Sequence, residues 1–377
     1  MRKNSAAYLV ACDGASSPVR RWLGIELEDF EYDEPWIVVD VMVNDEHLAQ
    51  LPPTNVQYCH PERPSTFITC PGNHRRWEFM TLPGEPDAGT VSEEHLWRLL
   101  SRWLKPGQAR IWRAAAYRFH ALVARDWRSG RVLLAGDSAH QTPPFLGQGM
   151  CQGLRDAGNL AWKLEQVVRG KAAAGLLDSY TIERRPHVVE TTRLAKAFGR
   201  IISERDPALA RARDARMLGP APGEARTLVR QALIPGLSGG LISADAPLAG
   251  KVFPQPMAAP AGSAYTLLDE LTGPCWRLVL GGSLRPPALD AIVGVAGRHG
   301  VPVFIVDAGT DPVAGPVASG VRHVTERDGL LGRWLAAAGC AGALVRPDHY
   351  VFGAFDAPAA ADRLLAEWAA STTRSDT

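Results

Sequence analysis

The sequence predicts a mixed fold, α/β in part and α+β in part, on three observations. Two short apolar runs end at Asp-Gly or Gly-Asp and lead into helix signals, as parallel strands do at a ligand-binding edge. Between them, β-rich runs alternate with Pro/Gly turns, the texture of an antiparallel sheet. After a Gly/Pro-rich stretch the chain reads βαβ…αββα, a small separate α/β domain. A length of 377 residues agrees with two or three domains.

Tyr8-Leu9-Val10-Ala11-Cys12 reads as a short central strand running into the turn pair Asp13-Gly14. A helix is expected near Ser16-Ser17-Pro18, where a serine can cap and a proline suits the first turn. From Pro35 to about Tyr117 the strands are Trp36–Val43, Asn55–Cys59, Ser65–Thr69 and Arg76–Met80, with a helix from about Ser92 to Leu104. Arg131–Ala135 is a second central strand. Beyond it, Met150, Leu154, Ala157, Ala161, Leu164 and Val168 recur at alternating steps of four and three, which predicts one apolar helix face ending at Gly170. Helix continues from Leu176 to about Met217, interrupted near Pro186. In the last domain, Trp276–Leu280, Val303–Val306, Ala343–Arg346 and Tyr350–Phe352 read as strands, and Leu289–His299, Leu330–Ala338 and Ala359–Ala370 as helices.

Composition narrows the function. Hydrophobic residues at 46% and charged residues at 21% describe an ordinary globular chain. A net charge of +1 gives no reason to expect nucleic acid or an anionic membrane as partner. The arginines at 200, 205, 211, 213 and 216 are interrupted by Glu204, Asp206 and Asp214 and read as a solvated helix face. Six cysteines form no C-x-x-C pair and ten histidines no cluster, so no metal site is expected and a reduced, cytoplasmic setting fits. No apolar run approaches the roughly 20 residues that span a bilayer. Met1-Arg2-Lys3 followed by Ala6–Cys12 also resembles a lipoprotein signal ending in a modifiable cysteine, although its apolar part is shorter than the roughly 7–15 residues such a signal needs.

The chemistry concentrates in GDSAHQTPPFLGQGM, Gly136 to Met150. Gly136 and Asp137 stand just past a strand, where a carboxylate can accept hydrogen bonds from sugar-alcohol hydroxyls. Pro143 and Pro144 stiffen the loop and remove amide donors. Gly147 and Gly149 let the backbone approach a flat ligand. The helix opening at Gln148 to Met150 aims free N–H groups at that ligand and favours negative charge there by about 0.3–2 kcal/mol. A ring that becomes anionic when reduced, such as flavin, meets this requirement; a Gly/Pro-rich connector is the bland alternative. No Ser-His-Asp set or paired carboxylates appear, and His140 reads as a loop histidine satisfied by hydrogen bonds, with a proton relay as the alternative.

The block from Gly136 to Leu164 resembles the second flavin-binding motif of the FAD-dependent aromatic hydroxylases, the flavoprotein monooxygenases, and most resembles the 3-(3-hydroxyphenyl)propionate hydroxylase branch. Cys12–Arg20 resembles that family's Asp-Gly segment, and Arg75–Met80 and Tyr180–His187 match in the right order. The C-terminal domain, with Leu344–Asp348, is similar to the thioredoxin-like appendage of the branch. The resemblance implies FAD as cofactor, NADH or NADPH as co-substrate, and hydroxylation of a phenolic substrate with O2. It implies that Asp137 holds the ribityl chain and that Gly149, Met150 and Cys151 face the flavin pyrimidine edge, within a cofactor site that includes Gly136, Pro143, Gly147 and Gln148. The Pro144 carbonyl would lie at the bound phenol, while Asp13, Gly14 and Arg20 would support FAD and the passage of NAD(P)H. Trp77 and Phe79 would line the aromatic pocket or serve as plain core.

On this reading residues 1–34 and 118–219 form a partial FAD-binding domain with a helical extension. Residues 35–117 form the substrate-binding sheet, 220–260 the linker and 261–377 the thioredoxin-like domain. The family's opening βαβ unit with Gly-x-Gly-x-x-Gly has no counterpart here, and Gly147–Gly153 echoes it with a spacing one residue too long. The expectation is therefore an N-terminally truncated hydroxylase, a homodimer, or a chain completed by another polypeptide. A catalytically silent binding protein is the alternative.

Overall fold

The computed structural model describes residues 5–85, 91–218, 233–282, 284–308 and 320–372. In chain order, β1 (Leu9–Ala11) leads through a turn to α1 (Pro18–Trp22), where the Ser17 side chain caps the Arg20 amide. The long strand β2 (Leu27–Val43) follows, then β3 (Val56–Tyr58), β4 (Ser65–Thr69), β5 (His74–Met80), α2 (Glu93–Leu100) and β6 (Ala109–Ala124). The short strands β7 (Arg128–Ser129), β8 (Val132–Leu134) and β9 (His140–Gln141) precede three helices, α3 (Gly149–Val168), α4 (Asp178–Ile202) and α5 (Pro207–Leu218).

Two sheets come from this part. β8 lies between β1, parallel to it, and β7, antiparallel. The sequence reading of both apolar runs as central strands therefore holds for β8 but not for β1. Among the described residues β1 is an edge, with Leu9 45% and Val10 38% exposed. The second sheet is antiparallel in the order β3-β4-β5-β2-β6-β9. In the second half of β2 the side chains alternate, so that Ile37, Val39, Val41 and Val43 go under α2 while Trp36, Val38 and Asp40 take the other face; in its first half the pairing with β6 shifts register between Asp29 and Asp33.

Two helix expectations change. α4 runs unbroken through Pro186, and the break falls at Ser203–Asp206 instead. Proline removes only the bond to the Ile182 carbonyl, and Ile182 lies on the solvent side of the helix, 53% exposed. On α3 the predicted apolar face is the outer one: Met150 is 78%, Leu154 64% and Val168 58% exposed. The buried face carries Gln152, Asp156, Asn159 and Lys163. Periodicity locates a stripe correctly but cannot say that polar partners will claim the opposite side.

The last part contains β10 (Met257–Ala259), β11 (Thr266–Leu267), α6 (Leu268–Thr272), β12 (Arg277–Gly281), α7 (Pro286–Arg298), β13 (Val303–Ala308), β14 (Val321–Glu326), α8 (Leu330–Ala337), β15 (Gly342–Val345), β16 (Val351–Phe355) and α9 (Pro358–Thr372). These strands form one mixed sheet, β11-β10-β14-β13-β12-β15-β16, with β12, β13 and β14 parallel. α7 and α9 pack on one face, α6 and α8 on the other. The short polar strand β14 and the pair β10–β11 carry too little apolar signal to be found in the sequence. Of the stretch expected as linker, 220–232 lies outside the described residues, and from 233 the chain packs onto this sheet with Leu237 and Leu241 buried.

A buried charge knot joins the two halves. Arg346 donates to both oxygens of Glu183 (3.0 and 2.7 Å) and both of Asp348 (2.9 and 2.7 Å). Lys163 donates to Glu183 at 2.6 Å, and Asn159 bridges Glu183 (2.7 Å) and Asp348 (2.9 Å). Burial alone would raise the Glu183 pKa, but Arg346 and Lys163 overrule it and hold the carboxyl well below the usual carboxylate range.

Candidate active site

The turn after β1 and the loop after β8 are stitched into one unit. Arg20, 5% exposed, donates to the Ser138 carbonyl (2.6 Å) and the Ala15 carbonyl (2.9 Å). Ser138 Oγ donates to the Ala11 carbonyl at 2.7 Å, and Gln141 Nε2 donates to the Ala15 carbonyl at 3.2 Å. Asp13 accepts from the Val19 amide at 3.1 Å. Slight burial opposes its ionisation, but bonds from Ser17 and Val19 hold its carboxyl below the ordinary value. Gly14 takes a φ of +83°, which turns the chain between β1 and α1.

The loop itself is held from beneath by Asp156 on α3. Its Oδ2 accepts from the Gly136 amide (3.0 Å) and His140 Nε2 (2.8 Å), and its Oδ1 accepts from Arg184 Nε on α4 (2.9 Å). Burial would raise the Asp156 pKa; His140 and Arg184 reverse this and keep it ionised. His140 stacks on Trp127 at 5.4 Å and is bound to Asp156 through Nε2, while its buried Nδ1 has no partner among the described residues. Sequence reasoning does not reach Asp156 or Arg184, because a charge inside a helix reads as solvent-facing.

Above this support the predicted ligand-facing groups are open. Asp137 is exposed and makes no hydrogen bond among the described residues. Pro143 is buried and Pro144 begins a single 3-10 turn whose carbonyl accepts the Gly147 amide at 2.7 Å. Gly147 closes that turn at φ +60°, a left-handed conformation that a side chain would strain. Gln148 is 3% exposed, accepts from Arg155 at 3.1 Å and sits at the helix start. The amides of Gly149, Met150 and Cys151 form the first turn of α3 and have no acceptor among the described residues, as helix geometry requires.

Phe145, on the same loop, reaches the antiparallel sheet. Its ring meets Trp36 at 5.6 Å, Tyr32 at 6.1 Å and Phe119 at 6.1 Å. Gly199 of α4 packs behind this contact: a Cβ there would stand 2.6 Å from Tyr32 Oη and 2.7 Å from Phe145. β9 adds to β6, so loop and sheet also share backbone pairing.

The structure brings together Asp13, Gly14, Arg20 and the residues from Gly136 to Cys151, but not Trp77 and Phe79. These two are 0% and 1% exposed and pack under α2 with Phe67 and Trp103. Of their two sequence readings the structure shows the core one, because odd-numbered residues of β5 point away from the loop. Among the described residues no helix is long and apolar enough to cross a membrane, and no three His, Cys, Asp or Glu side chains gather as a metal site.

The chain matches the family described as FAD binding domain over residues 2–195 and the family described as HcaD C-terminal domain over residues 250–371. It is 37% identical over 350 residues to a probable NADH-specific resorcinol 4-hydroxylase of Rhodococcus jostii (strain RHA1), covering 92% of this chain and 63% of that protein. It is 34% identical over 367 residues to a 3-(3-hydroxy-phenyl)propionate/3-hydroxycinnamic acid hydroxylase of Burkholderia cenocepacia (strain HI2424), covering 93% of this chain and 66% of that one. Among solved structures, aklavinone-11 hydroxylase in complex with FAD and aklavinone superposes with a TM-score of 0.69 at 23% identity, over 96% of this chain and 67% of that chain. The flavin-dependent monooxygenase PieE in complex with FAD and substrate gives 0.69 at 22% identity, over 97% of this chain and 70% of that chain.

Proposed function

The chain belongs to the family of FAD-dependent aromatic hydroxylases, and from that premise we propose that it serves in hydroxylation of a phenolic ring with NAD(P)H and O2. One observation carries the reading. The unpartnered Asp137 carboxylate, the open amides of Gly149–Cys151 and the stiff Pro143-Pro144 turn lie on one loop, whose Phe145 touches the sheet at Trp36.

These residues fit FAD. Asp137 would accept hydrogen bonds from ribityl hydroxyls, and the first-turn amides of α3 would face the pyrimidine edge and favour its negative charge. Gly136, Pro143, Gly147 and Gln148 shape that contact, while Asp13, Gly14 and Arg20 brace it. When bound, FAD supplies the redox chemistry that takes hydride from NAD(P)H and activates O2. The Pro144 carbonyl accepts one backbone N–H and keeps a second lone pair for a substrate hydroxyl. Buried Trp36 and Tyr32, with half-buried Phe119 against them, exclude water on the sheet side. The C-terminal sheet, read as thioredoxin-like, has no C-x-x-C and acts as a scaffold. The reaction fits the cytoplasm, where NAD(P)H and reduced thiols coexist.

The spectrum of the purified chain with added FAD tests this. Visible flavin bands that survive gel filtration, their loss in Asp137→Ala, and NADH oxidation stimulated by 1,3-benzenediol are expected. Protein that never retains FAD overturns the reading. It would favour a second one, a binding protein without catalysis, for which the open edge of β1 with exposed Leu9 and Val10 speaks. That edge is also where a second copy or another chain could add a strand.

A further inference from the structure

β5 alternates, so the burial of Trp77 and Phe79 under α2 sends Glu78, with Arg76 and Met80, to the opposite face. This is the face that Phe145 of the loop meets through Trp36. In the sheet register Glu78 stands beside Val38 on β2 and Thr66 on β4, and Trp36 pairs with the next same-face residue, Met80. Glu78 therefore lies one diagonal step from Trp36, within about 7–8 Å by sheet geometry.

Its surroundings give it no partner. Glu78 is 7% exposed, yet its carboxyl makes no hydrogen bond or ion pair among the described residues. Thr66 Oγ1 is engaged, donating to Gln57 Oε1 at 2.6 Å. Arg76, the nearest cation along the strand, is paired through both Nε (2.8 Å) and Nη2 (3.2 Å) with Asp40. Buried carboxyls are normally paired, and one left without a donor is destabilising unless something supplies a hydrogen. Burial pushes this carboxyl up to about 6, with Arg76 opposing, so it is ionised in weakly alkaline solution.

We propose that Glu78 accepts a hydrogen bond from a hydroxyl of the aromatic substrate, on the side of the ring that rests against the sheet. This rests on the reading of that sheet as the substrate side of a phenol-hydroxylating site. The chemistry selects a ligand with a free O–H at that position over one whose oxygen is alkylated. An ionised acceptor also draws electron density onto the phenolic oxygen and into the ring, which prepares the ring carbons for an electrophilic oxygen. The bond leaves the hydrogen on the phenol, so no further reactant is required.

Isothermal titration calorimetry at pH 8 on the full chain tests it, with 1,3-benzenediol and its dimethyl ether as probes. The wild type should prefer the diol by about tenfold, the size of one charge-assisted hydrogen bond. In Glu78→Gln the preference should fall to within about threefold while the ether binds as before. Glu78→Asp, which keeps the charge and withdraws the oxygens by one methylene, should also reduce the preference and serves if the amide variant does not fold. A wild type that binds the diol, with variants that keep the tenfold preference or weaken both probes alike, overturns Glu78 as the acceptor and leaves the phenol reading intact. A wild type that binds neither probe overturns both.

Discussion

At Gly199 of α4 a single added methyl group would meet two aromatic side chains at once. Neither can retreat easily, since Phe145 is fixed against Trp36 and Phe119, and Tyr32 is buried. Gly199→Ala should therefore cost about 1–3 kcal/mol, the usual penalty of overpacking, seen as a lower thermal midpoint. Because the displaced ring sits on the loop proposed to hold FAD, the same variant should retain less FAD after gel filtration. A variant with unchanged melting and FAD retention would show that the loop has slack. At this scale the sequence reveals much of the loop, because Gly, Pro and Asp each act through their own backbone or a single carboxylate. It cannot reveal Asp156 or Glu78, whose roles depend on strand and helix partners far away in the chain.

Among elements, α3 and α4 matter most, since they carry Asp156, Lys163, Glu183 and Arg184 into the interior. Removing one member of a buried charge set leaves the others uncompensated, so Glu183→Gln should destabilise by about 3–5 kcal/mol in urea unfolding. The acid dependence has a definite sign. Glu183 has a lower pKa folded than unfolded, so its stabilisation is fully present above the ordinary carboxylate range and is lost as pH falls below it. The wild type should lose stability steeply on acidification, and Glu183→Gln should lose less over the same interval; equal slopes would contradict this. Strand β8 and helices α7, α8 and α9 were legible from local pattern. The buried face of α3 was not, because the residues that satisfy it come from α4 and from the turn after β15, which no window of sequence contains.

For the whole molecule, the outer stripe of α3 and the edge of β1 leave apolar surface open: Met150, Leu154, Val168, Leu9 and Val10. Contiguous apolar surface and free strand edges favour association. Leu154→Lys, at a position 64% exposed, should leave the melting temperature within about 2 °C of wild type, as neutral surface changes do. It should also reduce concentration-dependent light scattering. A large drop in melting temperature would mean that Leu154 packs inward in solution. The order of the Gly136–Cys151 loop part, sheet part and C-terminal α/β part is readable in the sequence, since each has its own periodicity. How the parts lock together is not.

The knot around Arg346 bears on how such chains can be recombined. The Gly/Pro-rich stretch invites a crossover, because loops usually tolerate a cut. Yet a crossover there would hand Glu183, Lys163 and Asn159 to one parent and Arg346 and Asp348 to the other. A chimera with a mismatched second parent would inherit unpaired buried charges and fold poorly, however well each half folds by itself. Exchange between relatives is thus restricted to parents that keep both sides of the knot, and the two halves are bound to be inherited together.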